Sequence, residues 1–441
     1  MTLNKLAIAL AFAGLATSAQ ATNGYFSHGY GMKAKGMGGV STAMTEDTFG
    51  GANNPASMVW VGDRIDLGAE VFSPRREMSR TGVGAAMGAP GLTDGASDSE
   101  DNYFLVPEFG YNRMIQPNMS FGVTVYGNGG MNTDYNDNTF TCGGDGPVRN
   151  ALCGMGDLGV DLMQLIIAPT LAYKVNEQHS VGVSPLIGVQ RFSAYGLQAF
   201  QGLSTSPTDV TNNGYDTSYG LGVRVGWLGK LSDKVSVGAA YSSKIYMSEL
   251  DKYKGLFAEQ GDFDIPSNWN VGVAIQAAPQ VKVALDFQRI NYSGVASVSN
   301  PSTNAGGCIA GDPTMCLGGD NGAGFGWDDV NVWKLGVEYA YSNRLTLRAG
   351  YNHGDNPIQA RDVTFNILAP GIIEDHISLG FTYTLASGGE LTMAYTHALE
   401  NKVTGASMLP PLFSGGALPP GGSETIKMYQ DSIGIAYSWK M

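Results

Sequence analysis

The chain has 441 residues, of which 62 are glycine and 21 tyrosine, and only 15% are charged, well below the quarter usual for soluble domains. Its 26 basic and 39 acidic residues give a formal charge of −13, which argues against a nucleic-acid partner. Beyond residue 21 there is no uninterrupted apolar run of ~18 residues, so no helical membrane span is expected.

Residues 1–21, MTLNKLAIALAFAGLATSAQA, combine Lys5, an apolar run from Leu6 and the small-residue site Ala19-Gln20-Ala21. This is the pattern of a cleavable secretory signal, and the apolar run is too short for an anchor. The mature chain would begin at Thr22. An exported chain meets oxidising surroundings, and its four cysteines fall as two close pairs. Local disulfides Cys142–Cys153 and Cys308–Cys316 are the natural reading, although four cysteines allow three connectivities. Zinc fits poorly, because the spacings are wide and neither interval contains a histidine. No metal or other cofactor is expected.

Residues 22–62 are rich in glycine and alanine and show no alternation. A small-residue helix is expected over Ala34–Met44. Asn54-Pro55-Ala56 reads as an N-cap followed by proline at the first helical position.

From residue 63 to 441 the dominant signal is alternation with period two, in fourteen segments. The first presents Ile65, Leu67, Ala69 and Val71 on one face, the sixth Tyr219, Leu221, Val223, Val225 and Trp227, and the tenth Trp333, Leu335, Val337, Tyr339 and Tyr341. Glycine and polar residues occupy the other face. A soluble sandwich would alternate too, but two features oppose it. The connections alternate long and short without a break, beginning with a long one at about 73–101. Tyr and Trp also gather at strand ends, as interface girdles require. The expected fold is all-β: a 14-stranded antiparallel transmembrane β-barrel with both termini periplasmic. Such a barrel is too wide for side chains alone to fill, so residues 22–62 are expected as a plug (hatch) in the lumen.

At the hatch the chain resembles a known family. Asn23-Gly24, the glycine run from Gly29 to Gly39, Glu46-Asp47 and Asn54-Pro55-Ala56 are similar to the hatch signature of the FadL/TodX outer-membrane transporters. Pro107-Glu108-Phe109-Gly110-Tyr111 and the Gly220–Trp227 run add to the likeness. The final Trp439-Lys440-Met441 departs from the terminal Phe common in such barrels. The resemblance implies uptake of long-chain fatty acids or aromatic hydrocarbons, gated by the hatch, with a sideways exit near Gly127–Gly130. Gate residues would include Phe26, Gly36, Gly38, Gly39, Asn54, Pro55 and Ala56. The apolar loops after strands five and seven would make first contact with ligand, through Leu197, Phe200, Leu203, Leu256, Phe257 and Phe263. Another apolar stretch, Leu409 to Leu418, follows strand thirteen.

On the inward parity, Arg224, Lys244 and Arg348 are candidate contacts for a fatty-acid carboxylate. The alternative is that such cations pair with inward acids, among them Asp66, Glu70, Glu108, Asp286 and Glu338, and brace the wall against the plug. No catalytic set stands out. The glycines also fail as a nucleotide loop: Ala34 stands where G-x-G-x-x-G needs glycine, and Met37 where a P-loop needs lysine. The expectation is therefore a monomeric transporter, not an enzyme, that meets outer-membrane lipid and hydrophobic small molecules. Long-chain fatty acids are the first substrate class and toluene-type hydrocarbons the second. An aqueous porin and an adhesive barrel are the rivals.

Overall fold

The computed structural model describes residues 23–83, 92–142 and 147–441; the leader expected at 1–21 lies outside them. From Arg64 onward the chain forms β1 (Arg64–Thr81), β2 (Phe104–Gln116), β3 (Met119–Tyr135), β4 (Leu158–Lys174), β5 (His179–Tyr195), β6 (Asp216–Ser232) and β7 (Val235–Ser242). It continues through β8 (Asn268–Ala278), β9 (Val281–Ile290), β10 (Val330–Ala340), β11 (Leu345–Gly354), β12 (Asp375–Thr384), β13 (Glu390–Ser407) and β14 (Gly421–Lys440). Each strand pairs antiparallel with its neighbours in the chain, and β14 returns to β1, from Arg64↔Lys440 to Thr81↔Ser423. The sheet is thereby a closed 14-stranded barrel. Two short strands, Gly95–Asp98 and Tyr246–Met247, lie against β1 and β6.

Closure follows from the surroundings. Hydrocarbon offers no partner for a backbone N–H or C=O, so a membrane sheet cannot leave an edge open. The same surroundings turn the apolar parity outward. Along β10, Trp333, Leu335 and Val337 are exposed while Lys334 is buried inside. The wall is taller than the alternation indicated. β1 runs on to Thr81, well past the expected loop start at 73, because above the hydrocarbon an outward residue need not be apolar. Ser73, Arg75 and Glu77 take the outward positions there, and Glu77 pairs with Lys427 of β14.

The thirteen connections keep the expected rhythm. Those after β2, β4, β6, β8, β10 and β12 are tight, while those after the odd-numbered strands are long and fold inward as a roof. Trp327, Tyr292, Tyr253 and Phe263 of the roof are fully buried, in one apolar core with Tyr25 and Phe26. Both expected disulfides, Cys142–Cys153 and Cys308–Cys316, are formed in roof loops.

The plug, from Asn23 to Asp63, fills the lumen beneath this roof. Its expected helix is far shorter than Ala34–Met44: one turn forms, Met32–Lys35. Gly38 and Gly39 follow with φ of 69° and 86°, a left-handed geometry that stops a helix. A side chain at Gly39 would also strike the carbonyl of His28. Pro55–Trp60 forms a single 3-10 segment, with the Asn54 side chain accepting from the N–H of Ala56 at 3.1 Å.

Candidate functional site

Three features converge inside the barrel: a polar seat for the plug, a break in the wall beside β3, and an apolar slot in the roof.

The seat is built from wall charges, each answered by the plug or by a wall neighbour. Lys33 pairs with Glu390 at 2.8 Å, Lys35 with Glu70, and Glu46 with Lys282 at 2.7 Å. Asp286 accepts from the N–H groups of Ser41 and Thr42 at 2.8 and 2.9 Å, and Asp66 from that of Thr48 at 2.9 Å. Burial alone would push the Glu46 carboxyl up, but the ammonium of Lys282, with Lys33 and Arg348, holds it at about 2. For Asp47 the nearby Lys33 and Arg64 do not suffice. Burial and the nearby Asp66 carboxylate push it up to about 6. Wall glycines let the plug backbone approach: a Cβ at Gly350 would lie 2.0 Å from the carbonyl carbon of Met37.

Each candidate carboxylate contact is already engaged. Arg224 donates to the plug carbonyls of Gly51, at 2.8 Å, and Ala52. Arg348 pairs with Glu338 at 2.7 Å, and Lys244 with Asp264 at 3.1 Å. Of the gate residues, Asn54 donates to the carbonyls of Thr42 and Trp227, at 2.8 and 2.9 Å. Pro55 and Ala56 lie under Gly182 of β5, and Gly36 faces Gly380 of β12.

The break lies where β2 and β3 part. Their pairing ends at Phe109↔Val125. Above it, β2 and β3 no longer pair with each other: β2 continues on β1 and β3 on β4, with a bulge at Asn128. The in–out alternation also stops: every residue from Tyr126 to Thr133 is buried, as expected of a strand that has left the lipid-facing wall. The tip of the plug occupies the freed edge. Ser27 N–H donates to the carbonyl of Asn128 at 3.1 Å, Gly130 N–H to that of Tyr25 at 3.2 Å, and Phe26 bridges to Gly129.

The slot, about 50 Å³, lies between the roof loops and the upper strands. Leu197, Phe200, Leu256 and Phe257 line it, as does Phe192 of β5. Leu203 packs at the margin of the same core. Phe263 lies deeper, its ring 4.8 Å from that of Phe257 and 6.2 Å from that of Tyr25, so it links the slot to the plug tip. Leu409 is in the core but does not line the slot. Sequence reasoning missed Leu152, Val160, Phe192, Phe325 and Phe365. Continuing the inward parity of β4 and β5 upward would have found Val160 and Phe192. Phe325 and Phe365 lie in long loops with no periodic signal.

The family described as outer membrane protein transport protein (OMPP1/FadL/TodX) matches residues 10–409. The chain belongs to this family. The FadL/TodX assignment makes it a transporter of hydrophobic compounds in the outer membrane. Solved structures agree in fold. The Pseudomonas putida toluene transporter TodX superposes with a TM-score of 0.66 at 18% identity, covering 95% of this chain and 100% of its own. The Ralstonia pickettii toluene transporter TbuX gives 0.61 at 18%, with 94% and 99% covered. A Pseudomonas aeruginosa FadL homologue gives 0.66 at 16%, with 94% and 99% covered. No curated protein matches the sequence. The FadL/TodX family is one of transport proteins rather than enzymes.

Proposed function

We propose that this protein takes up uncharged hydrophobic molecules, monocyclic aromatic hydrocarbons first among them, by passive diffusion through a plug-gated barrel. The observation that carries this reading is the slot: its lining side chains are apolar except for Ser297, and none is charged. The three cations suited to a carboxylate are all engaged within the chain. A buried cation already satisfied by its own partners gains little from a new anion. The toluene transporters of the same fold point the same way.

A ligand leaves water for the slot, gaining ~25 cal/mol for each Å² of apolar surface buried. It then moves past Phe263 to the plug tip. Displacing Tyr25–Ser27 from β3 frees the edge between β2 and β3, and the ligand exits sideways into the bilayer. Residues 22–62 serve as the gate and 63–441 as the wall, with both termini and the tight turns on the periplasmic side. One chain supplies every part, so the monomer is the working unit. Long-chain fatty acids would require Lys244, whose side chain is 28% exposed, to release Asp264.

The test is uptake of labelled toluene and labelled oleate by cells with and without the protein. Saturable toluene uptake that depends on the protein is the expected result. Uptake of oleate alone would transfer the assignment to fatty acids, and uptake of neither would overturn it.

A further inference from the structure

His28 lies in the plug and His376 on β12, and their rings stack with centroids 5.6 Å apart and 17° between planes. Both residues are buried, at 3% and 0% exposure. His28 meets the hydroxyl of Thr396 at 3.2 Å, while neither ring nitrogen of His376 has a hydrogen-bond partner. Among the described residues no carboxylate pairs with either ring. The two histidines that do bond a carboxylate, His353 with Asp375 and His397 with Asp431, do so on the outside of the barrel.

Two ammonium groups lie near the stack, and the nearby carboxylates are engaged by other partners. From β10, Lys334 donates to the carbonyl of His28 at 3.0 Å. From the plug turn comes Lys35, paired with Glu70 of β1. On β9, Asp286 is held by Ser41 and Thr42. Asp375 adjoins His376 along β12 but is engaged outside by His353 and Tyr351. β11 and β13 contribute the non-titrating Asn352 and Thr396. Burial first, then the Lys35 and Lys334 ammonium groups, push the His28 imidazole well below its ordinary range.

We infer that the His28–His376 stack is an acid-released latch between plug and wall. The closed plug accepts both rings only as neutral imidazoles. A proton on either creates an unpaired buried cation beside two ammonium groups, and the strain is relieved when the segment around His28 leaves the wall for water. His28 follows directly on Tyr25–Ser27, so this release also unpins the plug tip from β3.

The sign follows from proton linkage. The closed state binds fewer protons than the open state, so closure is fully stable above the ordinary histidine value of ~6.5 and weakens as pH falls through it. Between pH 7.5 and 5.5 the open-to-closed ratio rises with each proton taken up, by at most about tenfold per histidine. Asp47, pushed up to about 6, and the buried seat carboxyls that accept from the plug, Glu108 and Asp286, work in the opposite sense. The histidine contribution is therefore read as the difference between wild type and variants.

The experiment is ion conductance of the purified full-length protein in planar bilayers at pH 7.5 and 5.5, without hydrophobic ligand. The wild type is expected to gain open probability on acidification more than the double variant His28→Gln/His376→Gln, by up to about a hundredfold, with each single variant between them. His353→Gln and His397→Gln should leave the acid response intact. Heat-dependent migration on gels confirms a closed barrel, and His28→Leu serves as a second, non-titrating replacement if glutamine perturbs the plug. Equal pH dependence in wild type and double variant, or loss of the response in the His353 and His397 variants, overturns the inference. The measurement needs no substrate, so a failed uptake assay and a failed latch are separate results.

Discussion

Asn54 shows how a single side chain holds the plug. Its carboxamide caps Pro55–Trp60 and donates both to plug and to wall, at Thr42 and Trp227. Replacing it with alanine removes one donor from each carbonyl, at a cost of about 1–3 kcal/mol at most for the buried Thr42 carbonyl. Asn54→Ala is expected to loosen the plug while leaving the barrel closed, seen as faster hydrogen exchange over 42–56 with unchanged heat-dependent migration. The loop carboxyl Asp262 gives a pH prediction. Burial and the adjacent Asp264 push it up to about 7, so ionisation opposes the native loop as pH rises through that value. Asp262→Asn should flatten the pH dependence of loop protection over 249–266, measured by exchange corrected for intrinsic rates at pH 6 and 8.

At the scale of elements, the decisive unit is β3 with the plug tip. A Cβ at Gly129 would lie 1.6 Å from the Tyr25 carbonyl oxygen, so no side chain fits while the tip is seated. Gly129→Val is expected to drive Tyr25–Ser27 off the β3 edge and raise basal conductance in bilayers; wild-type conductance would show that the tip is not the seal. The slot is a separate element, contributed by the roof and the upper strands. Phe257→Ala removes an aromatic wall from it and is expected to lower saturable toluene uptake about tenfold, since losing part of such a contact costs roughly 1.5 kcal/mol.

Across the whole molecule, wall and plug are held by different physics. The wall closes through backbone pairing that runs the full length of β1 and β14, and its exterior is apolar because its solvent is. The unusual chain end, Trp439-Lys440-Met441, does not interrupt this: Trp439 pairs opposite Ile65 and Lys440 opposite Arg64. The plug is held by ion pairs and hydrogen bonds to inward charges, contacts that water can replace. Deleting residues 23–56 should therefore leave a barrel with normal heat-dependent migration but a large, ligand-independent ion conductance. An unchanged conductance would mean that the plug does not block the lumen.

Strand number, strand facing and the rhythm of loops were legible in the residues themselves. A membrane wall imposes period two on every strand and asymmetry on every connection, and both are local signals. The Asn54-Pro55-Ala56 cap and the two disulfides were legible for the same reason, since each joins residues close in the chain. Arg348 meets Glu338 across the β10–β11 hairpin, and Lys244 meets Asp264 within one loop. The plug partner of Arg224 was not legible: Gly51 reaches it only after the barrel closes, so parity could show that this cation faces inward but not what it meets. The same holds for the split between β2 and β3, which needs the plug tip as a surrogate strand, and for His28 against His376, 348 positions apart in the numbering. Local chemistry determined the wall, and only the closing of that wall around its own N-terminal segment decided what each inward group touches.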